Sequence, residues 1–496
     1  MLNRRQALAT IAAPAILRAQ KKRPNILFAF ADDWGMPWAS IFGDKVVKTP
    51  VFDGIAKKGV LFTNAYVSAP SCTPSRAAIL TGQYHWRLRS GANLGGDLPA
   101  EFGVYPDMLE AAGYHVGMTR KGWGPGNEQG GGRKRNPAGT RYEDFAAFLK
   151  ARPEGAPFCF WFGSQDPHRG YTWESGVKSG MRPEDVQVPP YLPDSEIVRK
   201  DMCDYFWEVQ RFNEETGELL KMLEKNGELE NTLVVISGDN GWPFPRGKAS
   251  LYDAGTHVPL AVQWGSRIKG GRKVEDFVSL TDLAPTFLEA AGLKVPGDMT
   301  GRSLMPLLTS SKSGRIDGKR GYVLTGMERH VPCREATSAG YPMRALRNHE
   351  FHYIRNFRPE RWPTGDPDDM EKATYEQLAG NTRVGFADVD AGPTKADMVV
   401  RRTEAAVKPL YELTYGKRPA QELYDLRKDP YQMKNVAGDP AYAGTLKKLD
   451  GQLMAALRET ADARVVSGED FDRYPGTITV VRGLRGGGEK KGKKKR

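Results

Sequence analysis

The stretch Asn25-Ile26-Leu27-Phe28-Ala29-Phe30, with Asp32-Asp33 just beyond it, decides the fold. A short, unbroken apolar run without polar alternation reads as a strand buried on both faces. Comparable runs occur at residues 114–118, 158–162 and 232–237. Helical patterns lie between them, at residues 105–112 closed by Gly113, and from about 201 to 225 with Gly227 beyond the end. This βαβ rhythm predicts an α/β fold, a mostly parallel sheet with helices on both faces. In such sheets ligands bind outside the carboxyl ends of the strands, so the residues that follow each run matter most. They are Asp32 and Asp33, then Lys121, then Asp166-Pro167-His168, and finally Asp239-Asn240-Gly241.

Asp32, Asp33, Asp239 and Asn240 offer hard oxygen ligands and no soft ones, a set that selects Ca²⁺ or Mg²⁺ over zinc. Asp-Asp and Asp-Asn-Gly are each ordinary turn chemistry when met alone. At the ends of two strands they favour a divalent cation, because three carboxylates in one place repel without one. A second stretch, Ser71-Cys72-Thr73-Pro74-Ser75-Arg76, has helix-start signals. Pro74 suits a first helical position, Thr73 or Cys72 can cap it, and the helix-favouring residues 76–80 run on to Gly82. Cys72 then faces free N–H groups at the positive end of the helix dipole, an environment for an anion and not only for packing. Arg76, Lys121 and Lys248 can neutralise an anionic ligand, and His168 can give a proton to a departing group. Taken singly, a lysine is a solvated surface charge and a histidine beside proline a turn residue. None of the other six histidines lies in a comparable setting, and there is no His-Glu-x-x-His zinc motif.

Cys72-Thr73-Pro74-Ser75-Arg76 resembles the signature of the type I, formylglycine-dependent sulfatases. The resemblance runs from about Arg23 to Asp439. Several stretches are similar to the heparan N-sulfatase (sulfamidase) branch: residues 237–248 with Trp242-Pro243-Phe244-Pro245, continuing into Leu251-Tyr252; Asp166-Pro167-His168-Arg169; and Val186-Gln187-Val188-Pro189. Tyr341-Pro342-Met343-Arg344 matches as well, as do Gly301-Arg302-Ser303-Leu304 and Glu422-Leu423-Tyr424-Asp425, which recur across sulfatases generally. It implies an alkaline-phosphatase-like α/β domain followed by a smaller C-terminal α+β domain with a short antiparallel sheet. It implies that a maturation enzyme oxidises Cys72 to formylglycine, and that residue 72 joins Asp32, Asp33, Asp239 and Asn240 around one Ca²⁺. The catalytic set implied is Cys72, Arg76, Lys121, His168 and Lys248. The reaction implied is double displacement: a hydroxyl of the hydrated aldehyde attacks sulfur, His168 or Lys248 protonates the leaving amine or alcohol, and the second hydroxyl expels sulfate.

Two positions depart from the pattern. Lys248 stands where sulfamidase has arginine, which keeps the charge and loses the bidentate fork. Gly122-Trp123-Gly124 occupies the place of a histidine that family members commonly carry two or three residues after the lysine matched by Lys121. The function implied is a sulfatase of sulfated glycans, with N-sulfoglucosamine units of heparan-type substrates first. The alternatives are an exo-acting carbohydrate O-sulfatase, a phosphodiesterase or phosphonate hydrolase of the same superfamily, and an inactive glycan-binding protein. A homodimer is implied by the resemblance alone.

Composition limits the partners. The formal charge of +12 is concentrated at the ends: residues 1–23 hold six basic and no acidic groups, and residues 489–496 hold six basic and one acidic. The body is near neutral, which argues against nucleic acid as a partner. Arg4-Arg5 ahead of a mildly apolar run at residues 7–17 reads as a twin-arginine export signal at residues 1–22, cleaved in a bacterial cell to leave an exported, periplasmic or extracellular protein. That run is too short to span a membrane, and no later run is long enough. Four cysteines are too few for a disulfide framework in a chain of 496 residues. The expected organisation is a catalytic domain at 23–340, a C-terminal subdomain at 341–482 and a basic tail at 483–496.

Overall fold

The computed structural model describes residues 23–334, 338–368 and 370–478. The export segment at 1–22 and the basic tail at 483–496 lie outside the described residues. The four apolar runs are strands: β1 (Asn25–Ala31), β2 (His115–Arg120), β3 (Phe158–Gly163) and β4 (Thr232–Gly238). They lie side by side in the order β2-β3-β1-β4, all parallel, at the centre of an eight-stranded sheet. Thr140–Arg141 extends the sheet beyond β2, while Leu260–Gln263, Val60–Phe62 and Arg272–Val274 extend it beyond β4. Leu260–Gln263 runs antiparallel to both of its neighbours, so the sheet is mixed.

Alternation along β1 divides the core. Leu27 and Ala29 belong to the apolar cluster on one face, and Ile26, Phe28 and Phe30 to the cluster on the other. A strand that must feed two cores at once has no polar face to display, which is why the run is unbroken in sequence. Helix α1 (Cys72–Thr81) and helix α2 (Tyr105–Ala111) contribute Ala77, Ile79 and Leu109 to the second cluster. Helix α3 (Glu196–Lys225) contributes Met202, Phe206 and Phe212 to the first. It begins several residues before the periodic stretch near Asp201, because the Ser195 side chain caps it by accepting from the Val198 N–H.

A separate four-stranded antiparallel sheet follows, made of β5 (Tyr322–Met327), β6 (Met343–Asn348), β7 (Phe351–Asn356) and β8 (Gln421–Asp425). Leu346, Tyr353 and Leu423 on one face pack with Leu449, Leu453 and Leu457 of the helix Ala443–Glu459. Among the described residues the long connection between β7 and β8 carries three short α-helices, which pack on the first core through Leu378, Met398, Val399 and Tyr415. Strand β7 takes up most of residues 349–358. Among the described residues no helix is long and apolar enough to cross a membrane.

Candidate active site

The parallel register brings the four strand ends together: Phe30 pairs with Gly163, Arg120 with Gly163, and Ala31 with Gly238. The next residues of each strand therefore emerge at one edge. Close approach is built in at Gly163, where an added Cβ would lie 1.7 Å from the Lys121 carbonyl oxygen. Asp33 has φ of 71°, a left-handed conformation that short polar side chains tolerate. Its N–H donates to Asp239 Oδ1 at 2.8 Å, locking β1 to β4 just beyond their ends.

Helix α1 starts earlier than its proline predicts. Ser71 is the N-cap residue, without a side-chain cap bond, and Cys72 is the first helical residue, leaving Pro74 in the first turn where no N–H partner is lost. Gly82 ends the helix in left-handed geometry, as the sequence predicts. Cys72 is buried, with Sγ 3.4 Å from Asp32 Oδ1 and 3.9 Å from Asp33 Oδ1. Burial pushes its thiol well above the ordinary range, against the pull of Lys121 and Lys248. An unmodified thiol here is protonated and a poor nucleophile. The other cysteines, Cys159, Cys203 and Cys333, are also buried and free.

Arg76 spends its whole guanidinium on the site. Nε donates to Asp239 Oδ2 at 2.8 Å, Nη2 to Asp32 Oδ1 at 3.3 Å, and Nη1 to the carbonyls of Lys121 and Gly122 at 3.0 and 2.8 Å. Lys121 Nζ donates to both Asp32 oxygens, at 2.7 and 2.5 Å. Lys248 Nζ donates to Asp33 Oδ2 at 2.8 Å, and His168 Nε2 lies 3.9 Å from the same oxygen. The His168 Nδ1 faces the Arg169 carbonyl at 3.0 Å, so it is the donor there, and the half-exposed ring turns Nε2 to the site.

Burial alone would raise the Asp32 carboxyl, but Lys121, His168, Arg76 and Lys248 hold it well below the usual range. Asp239 is pushed up to about 6 by burial and by Asp32 and Asp33, despite Arg76. Burial opposes the charge of Lys248, yet Asp33 and Asp390 hold its ammonium well above the ordinary value. Oxygens of Asp32, Asp33 and Asp239 and the Cys72 sulfur all lie within 4.8 Å of one another. Asn240 donates through Nδ2 to Asp33 Oδ1 at 2.7 Å, while its Oδ1 is buried with no hydrogen-bond partner among the described residues. A buried acceptor with no donor beside three converging carboxylates is the arrangement expected of oxygen ligands for a hard divalent cation. The residues present fit such an ion.

All nine residues singled out from the sequence meet at this edge. Two further groups join them from the second half of the chain. Asp390 lies 3.2 Å from Lys248 Nζ, and buried His330 meets Ser71 Oγ through Nδ1 at 2.8 Å. Burial lowers the His330 imidazole, with Lys248 acting in the same direction against Asp388, Asp390 and Asp33. His330 thus overturns the view that no other histidine has a comparable setting. Neither follows a strand of the main sheet: His330 lies just beyond β5 of the second sheet, and Asp390 in the connection between β7 and β8. Beside His330, Glu328 is buried against Arg344 and Arg464, and Arg329 donates to the carbonyls of Ser338 and Tyr474. Directly after Lys121, Gly122 has no room for a side chain, since a Cβ would lie 2.3 Å from Met118 Sδ and 2.5 Å from Asn136 Oδ1.

Comparison with known proteins agrees with this geometry. Residues 24–293 match the sulfatase family, and residues 238–354 match the C-terminal region of N-sulphoglucosamine sulphohydrolase. Human N-sulphoglucosamine sulphohydrolase is 29% identical over 90% of this chain and 92% of its own. An ulvan-active sulfatase of Formosa agariphila is 26% identical over 89% of this chain and 76% of its own. Among solved structures, a protein in complex with its substrate D-glucosamine-2-N,6-O-disulfate aligns with a TM-score of 0.64 at 21% identity, over 91% of this chain and 100% of the other. A phosphonate monoester hydrolase from Silicibacter pomeroyi also aligns at 0.64, with 18% identity over 89% and 97% of the two chains. These likenesses establish the fold, and the match over more than half of the chain establishes the family: the protein belongs to the sulfatases, hydrolases of sulfate esters and sulfamates.

Proposed function

We propose that this sulfatase removes sulfate from sulfated glycans, acting first on the N-sulfate of glucosamine in heparan-type chains. The observation that carries the chemistry is the position of Cys72, buried at the start of α1 with its sulfur against Asp32 and Asp33 and ringed by Arg76, Lys121 and Lys248. The preference for an N-sulfate is supported by the match to the N-sulphoglucosamine sulphohydrolase C-terminal region and by the human relative. The ulvan-active relatives favour a carbohydrate O-sulfate as the second reading.

Cys72 is read as the precursor of formylglycine, made by a maturation enzyme, and Asp32, Asp33, Asp239 and Asn240 with residue 72 as the ligands of one Ca²⁺. Bound there, the ion and the hydrated aldehyde supply an activated oxygen nucleophile and a route for releasing sulfate. The protein's own groups do the remaining work. Arg76 keeps Asp32 and Asp239 ionised and in place. Lys121 and Lys248 supply positive charge for the sulfate oxygens as charge builds on them. His168, with its Nδ1–H held by a carbonyl, acts as the imidazolium and gives the Nε2 proton to the leaving amine. A basic nitrogen leaves only when protonated, so this donor matters more for a sulfamate than for an ester. We further read the chain as exported by its first 22 residues, with the catalytic unit at 23–340 and the C-terminal subdomain at 341–482.

The test is sulfate release from N-sulfoglucosamine, from O-sulfated sugars and from a phosphonate ester, by protein made in a host that matures sulfatases. Preference for phosphonate, or no turnover when residue 72 is shown to be an aldehyde, overturns the proposal.

A further inference from the structure

Asp390 enters the site from the connection between β7 and β8, outside the match to the sulfatase family. Its position is fixed from both sides. Asp388 accepts from Arg334 Nη2 at 2.6 Å and from the Val331 N–H at 2.7 Å. The buried Lys395 Nζ gathers the carbonyls of Thr382, Phe386 and Val389 at 3.4, 3.3 and 2.9 Å. The loop that ends at Asp390 is thus tied to the buried Lys395 side chain and to the segment bearing His330.

Two features of Asp390 point to a ligand. Its Oδ2 is buried in an ion pair with Lys248 Nζ at 3.2 Å, an ammonium it shares with Asp33, and has no well-formed hydrogen bond among the described residues. A buried carboxylate oxygen without a well-formed hydrogen bond is costly unless a ligand provides one. Secondly, oxygens of Asp390 and Asp33 and a ring nitrogen of His168 lie within 4.8 Å of one another. One atom can therefore sit within hydrogen-bond reach of both His168 and Asp390. The atom that His168 protonates is the leaving atom, so Asp390 faces that atom too.

A sulfamate nitrogen carries an N–H, whereas the bridging oxygen of a sulfate ester carries no hydrogen. In sulfamate hydrolysis the S–N bond breaks, its electron pair stays on nitrogen, and RNH–SO₃⁻ with water gives RNH₃⁺ and SO₄²⁻. Substrate N–H and product ammonium both donate to a carboxylate; an ester oxygen presents only lone pairs and is repelled by it. We propose that Asp390 is a specificity-determining residue that selects a nitrogen leaving group over an oxygen one, an inference that rests on the sulfamidase reading above.

The experiment compares the matured wild-type enzyme with Asp390→Asn, and with Asp390→Ala in case one variant folds poorly. Sulfate release from N-sulfoglucosamine is measured together with inhibition by glucosamine, by glucose and by inorganic sulfate. We expect kcat/KM to fall about 100-fold, the scale of one lost charge-assisted hydrogen bond. We also expect glucosamine to inhibit the wild type more tightly than glucose, and that difference to vanish in the variants while sulfate inhibition is not weakened. Unchanged sulfamate turnover, or a retained preference for glucosamine over glucose, overturns the inference and leaves the sulfamidase reading standing. A wild-type enzyme that releases sulfate only from O-sulfated sugars overturns that reading, and the role of Asp390 with it.

Discussion

Arg76 and Asp239 form a fully buried ion pair, Nε to Oδ2 at 2.8 Å, between the first helix of the site and the end of the strand beside β1. They are separated by 163 positions in sequence. The same guanidinium reaches Asp32 and two carbonyls of the Lys121 segment, so a single side chain joins the ends of β1, β2 and β4. This makes Arg76 structural and chemical at once.

Replacing it separates the two roles. Arg76→Ala leaves Asp239 and Asp32 short of a buried partner and is expected to cost about 3–5 kcal/mol of stability. Arg76→Lys keeps a charge but cannot hold four acceptors, so we expect a smaller stability loss and a fall in kcat of about 100-fold or more. Chemical denaturation and sulfate release measure the two effects. A lysine variant with wild-type kcat would contradict the assignment.

The carboxylate cluster predicts metal-dependent stability. Chelation should lower the thermal midpoint, and Ca²⁺ at about 100 times its dissociation constant should restore about 2.7 kcal/mol. Asn240→Leu, which removes the unpartnered Oδ1, should weaken the response to Ca²⁺. A midpoint indifferent to chelator and Ca²⁺ alike rules out the proposed ion.

Cys72 can be tested by mass. In a host with the maturation enzyme, the peptide containing residue 72 should carry an aldehyde in place of the thiol. Cys72→Ser should bring turnover to less than about 1% of the wild type, because a serine has no second hydroxyl with which to expel sulfate. Full activity with an unmodified thiol at residue 72 would defeat the mechanism.

Acid should destabilise the protein through two histidines that are not among the candidate metal ligands. Burial pulls His257 and His352 down to about 4, against Asp253 and with Arg347 acting in the same direction. Unfolded, each titrates near about 6.5. Between these values the unfolded chain binds more protons, so stability is full above about 6.5 and is lost progressively as pH falls from about 6.5 to about 4. From pH 7 to pH 5 the loss is about 2 kcal/mol for each group. Urea midpoints across that range measure it, and His352→Gln should flatten the slope. An unaltered slope in the variant would show that other groups carry the acid response.

Much of the site is legible in the chain because its residues follow strands. Unbroken apolar runs mark β1 to β4, and the polar groups just after them, Asp32, Asp33, Lys121, His168, Asp239 and Asn240, must emerge at one edge if the strands are parallel neighbours. Cys72 and Arg76 announce themselves by a helix start that needs no distant partner to be read. The tertiary structure decided the strand order, the pairing of Lys121 with Asp32 and of Lys248 with Asp33, and the arrival of Asp390 and His330. Those two come from loops with no periodic pattern, positioned by contacts such as Asp388 with Arg334 and Lys395 with three carbonyls. Local chemistry determines which residues can form strands, caps and ligands. Which of them meet depends on long-range packing, and that is where this protein acquired the carboxylate that faces its leaving group.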